Sequence, residues 1–166
     1  MSLIGLSELC SIRMKPGMAQ ISYIPKSWVN HLTSFVLRDD GGKMLGSIYP
    51  NPSRSFLNMP AMLDSKAYSA SDEVTEHGAL TTHRIKGFYP GCSDAIIAEM
   101  NKMSRLAMLV WIKSNDRNLN IMLGDLSSGC QFTYSYDSGL LPGEREGVDF
   151  EFAWTTGQGV TFQIPA

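Results

Sequence analysis

The stretch "GCQFTYSYDSGLLPGEREGVDFEFAW", Gly129 to Trp154, decides the fold class. Phe132, Tyr134 and Tyr136 take alternate places before a polar, glycine-rich gap, and Val148, Phe150, Phe152 and Trp154 do so after it. Side chains of a strand point alternately to its two faces, so this spacing predicts two strands with an aromatic face and a polar face. Burying each aromatic side chain is worth roughly 1.5–3 kcal/mol, which assigns the aromatic face to the core. The other face is built from Gln131, Thr133, Ser135, Asp137, Asp149 and Glu151. The contacts of that face decide the function.

Working outward, Val160, Phe162 and Ile164 repeat the alternation after a tight turn at Thr156-Gly157-Gln158-Gly159. Upstream, "LAMLVWIK", Leu106 to Lys113, is almost uniformly apolar and suits a strand covered on both faces. Ser114 to Asn118 turns the chain, and Leu119, Ile121 and Leu123 open the next strand. A helix is predicted over 93–105, with Ser93 as its cap and Asp94 at its positive end. Ile96, Ile97, Met100 and Met103 form its apolar stripe, with Glu99, Asn101, Lys102 and Arg105 largely elsewhere. Ser69 to Tyr89 reads as two strands bending at His77-Gly78, and their mainly polar alternation suits exposed strands or strands facing another subunit.

Nearer the start, Ser11 to Tyr23 suggests two short strands around Pro16-Gly17, and Pro25 to Leu37 fits helix or strand. Asp39-Asp40-Gly41-Gly42 is a hairpin turn between Val36-Leu37 and Met44 to Tyr49. Residues 50–65, with Pro50, Pro52 and Pro60, read as a long surface excursion of the kind that carries a function or a contact. The expected architecture is a single domain over 1–166, mainly β (α+β). It is an antiparallel β-sandwich or partial barrel with one flanking α-helix, its strands filling 106–166.

The 166 residues are enough to bury a real core, and a composition of 43% hydrophobic and 18% charged residues is that of a globular chain with a lightly charged surface. Fourteen basic and sixteen acidic residues give a net charge of -2, which excludes the basic footprint of a nucleic-acid binder. The cluster His83, Arg84 and Lys86 is too short to alter this. Cys10, Cys92 and Cys130 form no C-x-x-C pair and read as small buried hydrophobes in a reducing compartment. Met1 to Gly5 is too short for a signal-peptide core, Glu8 interrupts the residues after it, and no run approaches the ~20 apolar residues of a membrane helix. Synthesis in the cytoplasm without a membrane anchor is expected.

Three chemistries compete with a solvated polar face. His77 and His83, with Cys92 or Glu76, are poor metal ligands: no histidine pair has strand or helix ligand spacing, and His31 is remote. Cys92, at a helix amino terminus, is a candidate nucleophile, but there is no G-x-S-x-G elbow and packing is the simpler role. Asp149 and Glu151, with Asp137 opposite, are paired carboxylates, yet hydrolytic pairs need an apolar pocket to keep one acid neutral. "GQG" at 157–159 is a turn, not a phosphate loop. No catalytic residue, cofactor, metal or small-molecule substrate is expected.

Residues 118–157, "NLNIMLGDLSSGCQFTYSYDSGLLPGEREGVDFEFAWTTG", resemble the closing portion of phage tail and virion structural proteins, particularly those of Bacteroides-type phages and prophages. The likeness lies in Leu123-Gly124, Phe132 to Tyr136, Asp137-Ser138-Gly139, Gly147, and Phe150 to Trp154. The preceding "RIKGFYPGCSDAIIAEMNKMSRLAMLVWI", 84–112, is similar to the same layout of strand, helix and buried strand. The resemblance covers about the last half of the chain. It implies a tail-tube-like subunit of the virion, made in the host bacterial cytoplasm. Its partners would be copies of itself in rings and other virion proteins, with genomic DNA passing and not specifically bound. Gln131, Thr133, Asp137, Asp149 and Glu151 would then face the channel, repelling phosphates, while exposed edge strands serve as joints. A second reading is a ligand-binding β-barrel with Trp111, Trp154 and Tyr134 inside its cavity.

Overall fold

The alternation between Gly129 and Trp154 folds into two antiparallel strands, with Phe132 opposite Phe152 and Tyr134 opposite Phe150. A computed structural model describes residues 20–32, 36–37, 44–45, 48–62, 65–76, 78–113, 120–137 and 146–157. Their strands are β1 (Gln20–Pro25), β2 (Val29–Leu32), β3 (Val36–Leu37), β4 (Met44–Leu45), β5 (Ile48–Pro50), β6 (Leu57–Met59), β7 (Ala67–Thr75) and β8 (Gly78–Pro90). After the helix α1 (Asp94–Met103) come β9 (Met108–Lys113), β10 (Asn120–Leu123), β11 (Gln131–Asp137) and β12 (Gly147–Thr156).

Two four-stranded antiparallel sheets carry the architecture, one in the order β10-β9-β1-β6 and the other β11-β12-β8-β7. Aromatic rings meet between them: Tyr23 of β1 lies 6.0 Å from Phe152 of β12, centroid to centroid. Ile21, Tyr23, Val110, Ile121 and Leu123 join Ile85, Phe132, Val148, Phe150 and Phe152 in one buried cluster. The described strands do not close into a barrel. The fold is therefore an antiparallel β-sandwich with one flanking helix.

The near-uniform apolar run becomes β9, and it is buried on both faces as expected: Met108, Leu109, Val110 and Ile112 are all inside. Its neighbour β1 is likewise enclosed, with Ile24 fully buried on the face opposite Tyr23. On that second face Phe56 meets Trp111 edge-on at 5.9 Å, and near the 3-10 turn that follows β1 Arg54 lies 4.3 Å over the Trp28 ring. The chain then leaves β10 through Gly124, whose φ of +92° favours glycine. A Cβ at that position would also stand 2.9 Å from the Met108 carbonyl oxygen.

The helix joins β8 of one sheet to β9 of the other. Ser93 Oγ accepts a hydrogen bond from the Ile96 amide at 3.4 Å, and Ile96, Met100 and Met103 enter the core cluster. Glu99 departs from expectation, because it too is buried, its carboxylate 2.9 Å from Lys102 Nζ. The excursion over 50–65 is also corrected. Residues 52–55 are exposed, but Leu57–Met59 form an edge strand paired with β1, and Met59 and Ala61 are buried. Three residues hydrogen-bonded to a neighbouring strand leave no period to read.

The ambiguous segment from Pro25 resolves into a 3-10 turn at Lys26–Trp28 followed by β2 and β3. β3 pairs with β4 as the expected hairpin. The Pro16-Gly17 and Asp39–Gly42 turns, His77, Cys10 and the strand expected at Val160 to Ile164 lie outside the described residues.

Candidate assembly surface

Register settles which residues the polar face of β11 and β12 meets. Thr133 stands opposite Glu151, Ser135 opposite Asp149 and Asp137 opposite Gly147. On the other side of β12, Glu151 stands opposite Lys86, Asp149 opposite Phe88 and Ala153 opposite Arg84. Because facing residues share a side of the sheet, the side chains of Thr133, Ser135, Asp149, Glu151, Lys86 and Arg84 form one outward surface. Strand β7 extends it with Ala67, Ser69 and Ser71, opposite Lys86, Arg84 and Thr82. Gln131, Thr133 and Asp149 are exposed, and the Glu151 side chain is one-fifth exposed.

Glu151 is the electrostatic centre of this surface. Arg84 Nη1 reaches one of its oxygens at 2.5 Å and Lys86 Nζ the other at 3.3 Å. The mildly acidic face expected from β11 and β12 alone is thus balanced by two cations from β8. Across the strands, Thr82 Oγ1 and Thr155 Oγ1 lie 3.1 Å apart. A shallow groove of about 630 Å³ runs over the surface between Lys86, Glu151, Asp149, Thr133 and Ser65. Phe88 points to the same side but is buried, and its main chain bonds Met62 and Ser65 at 2.9 Å each, extending the edge beyond β7.

The hairpin of β7 and β8 adds a second feature. Every β7 residue from Ala67 to Val74 is exposed, and Val74 is 84% exposed. In the described sheet, β7 and β11 are its two edges. On the inner side Tyr68, His83 and Trp154 form a ladder across β7, β8 and β12, with Tyr68–His83 centroids 6.1 Å apart and His83–Trp154 5.5 Å. This ladder was not legible in sequence. Its only local signal is that His83 falls on the apolar parity of β8.

Asp149 and Glu151 stand on the open face, with Glu151 paired to cations, not in an apolar cleft. Cys92 is half-buried, and burial pushes its thiol up, helped by the carboxylates of Glu146 and Asp94. That is the opposite of nucleophile activation. Cys130 is buried, and burial pushes its thiol far above the ordinary range. Among the described residues, no three His, Cys, Asp or Glu side chains are grouped to hold a metal ion. Among the described residues, the three aromatic residues of the barrel reading lie in different surroundings. Tyr134 borders the outer groove, Trp154 a separate hollow of about 300 Å³ beside Asp125 and Gly157, and Trp111 packs on Phe56. Among the described residues no helix is long and apolar enough to cross a membrane.

A β-sandwich with one helix and an open, charge-balanced sheet face is the class of molecule that the fold and the surface define. No protein-family model, curated protein or solved structure matches the chain.

Proposed function

We propose that this protein is a non-enzymatic virion structural subunit, of the tail tube or an adjoining tail part, that assembles into rings around a DNA channel. One observation carries the reading: a four-stranded sheet commits its aromatic face to the core and leaves a face of polar side chains and balanced charge, ending, among the described strands, in edges at β7 and β11. Exposed edge strands are a hazard to a monomer, because their free N–H and C=O groups template pairing. In a ring they become joints, each copy offering one edge to a different edge of the next, a heterologous contact that closes when the rotation does. The outward face then lines the channel. With Glu151 neutralised by Arg84 and Lys86, and Gln131, Thr133 and Asp149 beside them, such a lining neither concentrates cations nor grips phosphates. Asp137 continues the same register at the end of β11.

In this reading the chain is made in the host bacterial cytoplasm and ends in the virion, with copies of itself and other virion proteins as partners. Sedimentation and negative-stain imaging of the purified full-length protein over rising concentration test it. Rings or short tubes are the expected result. A monomer at every concentration, with no polymer of the chain in a phage lysate, overturns it.

A further inference from the structure

His83 is a buried histidine held in a site built for a neutral ring. It is 1% exposed on the inner side of β8 and stacks with Tyr68 of β7 (12° between planes) and Trp154 of β12 (24°). Its Nδ1 lies 2.9 Å from the Tyr68 hydroxyl, while its Nε2 is buried with no hydrogen-bond partner. A neutral imidazole has one donor and one acceptor nitrogen, and either tautomer can satisfy the Tyr68 contact. An imidazolium has two donors and a full charge, with nothing to receive the second N–H, which is a costly state away from water.

Among the described residues, few groups face the ring. From β7 come the Tyr68 hydroxyl and the Asp72 carboxylate, the latter accepting a hydrogen bond from Thr81 Oγ1 at 2.7 Å. From β12 comes uncharged Trp154. On β8 itself Thr81 and Ile85 share its side, while Arg84 and Lys86 lie on the other. Burial pushes the histidine down and the Asp72 charge partly offsets this. Strand β7 has little else in the way of buried side chains: Ala67 to Val74 are all exposed, and among the described strands it is laddered to β8.

We propose that His83 is a proton-operated latch on the sheet edge: the neutral ring clamps Tyr68 and holds β7 against β8, and protonation expels the ring and releases β7. Release would change the edge of the sheet from β7 to β8, whatever the protein assembles into. The sign comes from linkage. The open state titrates near the ordinary histidine value and the closed state below it, so closure is fully present above that value and weakens as pH falls below it.

Hydrogen exchange on the full-length chain, corrected for the intrinsic pH dependence of exchange, tests this. Between about pH 7.5 and about pH 5, β7 amides bonded to β8 lose protection by about tenfold, up to about thirtyfold if the closed ring stays neutral throughout. Amides of β9 keep theirs, and His83→Phe, which retains a stacking ring, abolishes the pH dependence. Unchanged β7 protection, equal loss in β7 and β9, or the same loss in His83→Phe overturns the latch. Should that variant not fold, NMR titration of His83 in the unsubstituted protein decides. A midpoint below about 6.5 that coincides with β7 opening supports the latch, and an ordinary midpoint with β7 still protected overturns it.

Discussion

Along β9, Met108, Leu109, Val110 and Ile112 are buried whichever way they point; along β12, Val148, Phe150, Phe152 and Trp154 are buried, while of the residues between them Asp149 is exposed and Glu151 and Ala153 are half-buried. The two strands sit in different sheets of one sandwich and share a single core cluster. The difference lies in the second face. The β10-β9-β1-β6 sheet buries Ser22, Ile24 and Leu109 on its far side, where Phe56 also meets Trp111, whereas the β11-β12-β8-β7 sheet leaves Gln131, Thr133 and Asp149 exposed. A sheet largely enclosed on both sides offers little surface. A sheet with one free face and, among the described strands, two edges can also meet something, and here the proposals for function and for the latch both fall on it.

The most forceful way to break this comparison is to truncate neighbouring side chains in each strand. On β12, Phe152→Ala is expected to lower unfolding free energy by about 3–5 kcal/mol, and Glu151→Ala by less than about 1 kcal/mol. On β9 the adjacent pair Met108→Ala and Leu109→Ala should each cost about 2–5 kcal/mol, because both residues are fully buried. Urea denaturation of the four variants reads the contrast directly. A Leu109→Ala variant that loses less than about 1 kcal/mol would mean that the far face of β9 is open, and the distinction between the sheets would fail.

The same contrast governs how much of the molecule is legible in sequence. The alternation of Phe132 to Trp154 fixes faces because a strand has period two, and the apolar run at 106–113 announces enclosure for the same reason in reverse. Ser93 and the Ile96, Met100, Met103 stripe place the helix, since both are local. Glu99 is the residue that misleads: it lies three residues after Ile96 and four before Met103, squarely on the buried stripe. A charged side chain is expected to leave such a stripe, yet Lys102 one turn on gives it a partner. Leu57–Met59 are hidden by brevity between prolines. The candidate surface is half legible: Gln131, Thr133, Asp149 and Glu151 share a face as expected, but which strand lies beside β12 depends on pairing 67 positions apart, so sequence alone leaves Arg84 unconnected to Glu151.

A finer test concerns the inner face near that boundary. Gly87 of β8 stands opposite Phe150, and a Cβ there would lie 2.5 Å from Phe150 Cζ. The ring covers the bare backbone and leaves no room for a methyl group. Gly87→Ala is expected to cost about 1–3 kcal/mol by overpacking. Combining it with Phe150→Leu should recover at least about 0.5 kcal/mol of that cost, a coupling expected of residues in contact. Additive losses in chemical denaturation would show that the ring does not press on Gly87, and the close fit of this inner face would be lost from the comparison.

The smallest expected effect is the most informative about the open face. Glu151→Gln removes the charge that Arg84 and Lys86 share, and for pairs this exposed the folding stability should change by no more than about 1 kcal/mol, shrinking further as salt is raised. If the face borders a water-filled channel, ring formation should be equally indifferent, because the pair stays solvated in the assembly. If the face is itself a joint between copies, the pair is desolvated there and the same substitution weakens association far more than folding. Measuring both on one variant therefore separates a lining from a joint: matched small effects keep the channel assignment, and a loss of assembly with folding intact moves the contact from the edges β7 and β11 to the face between them.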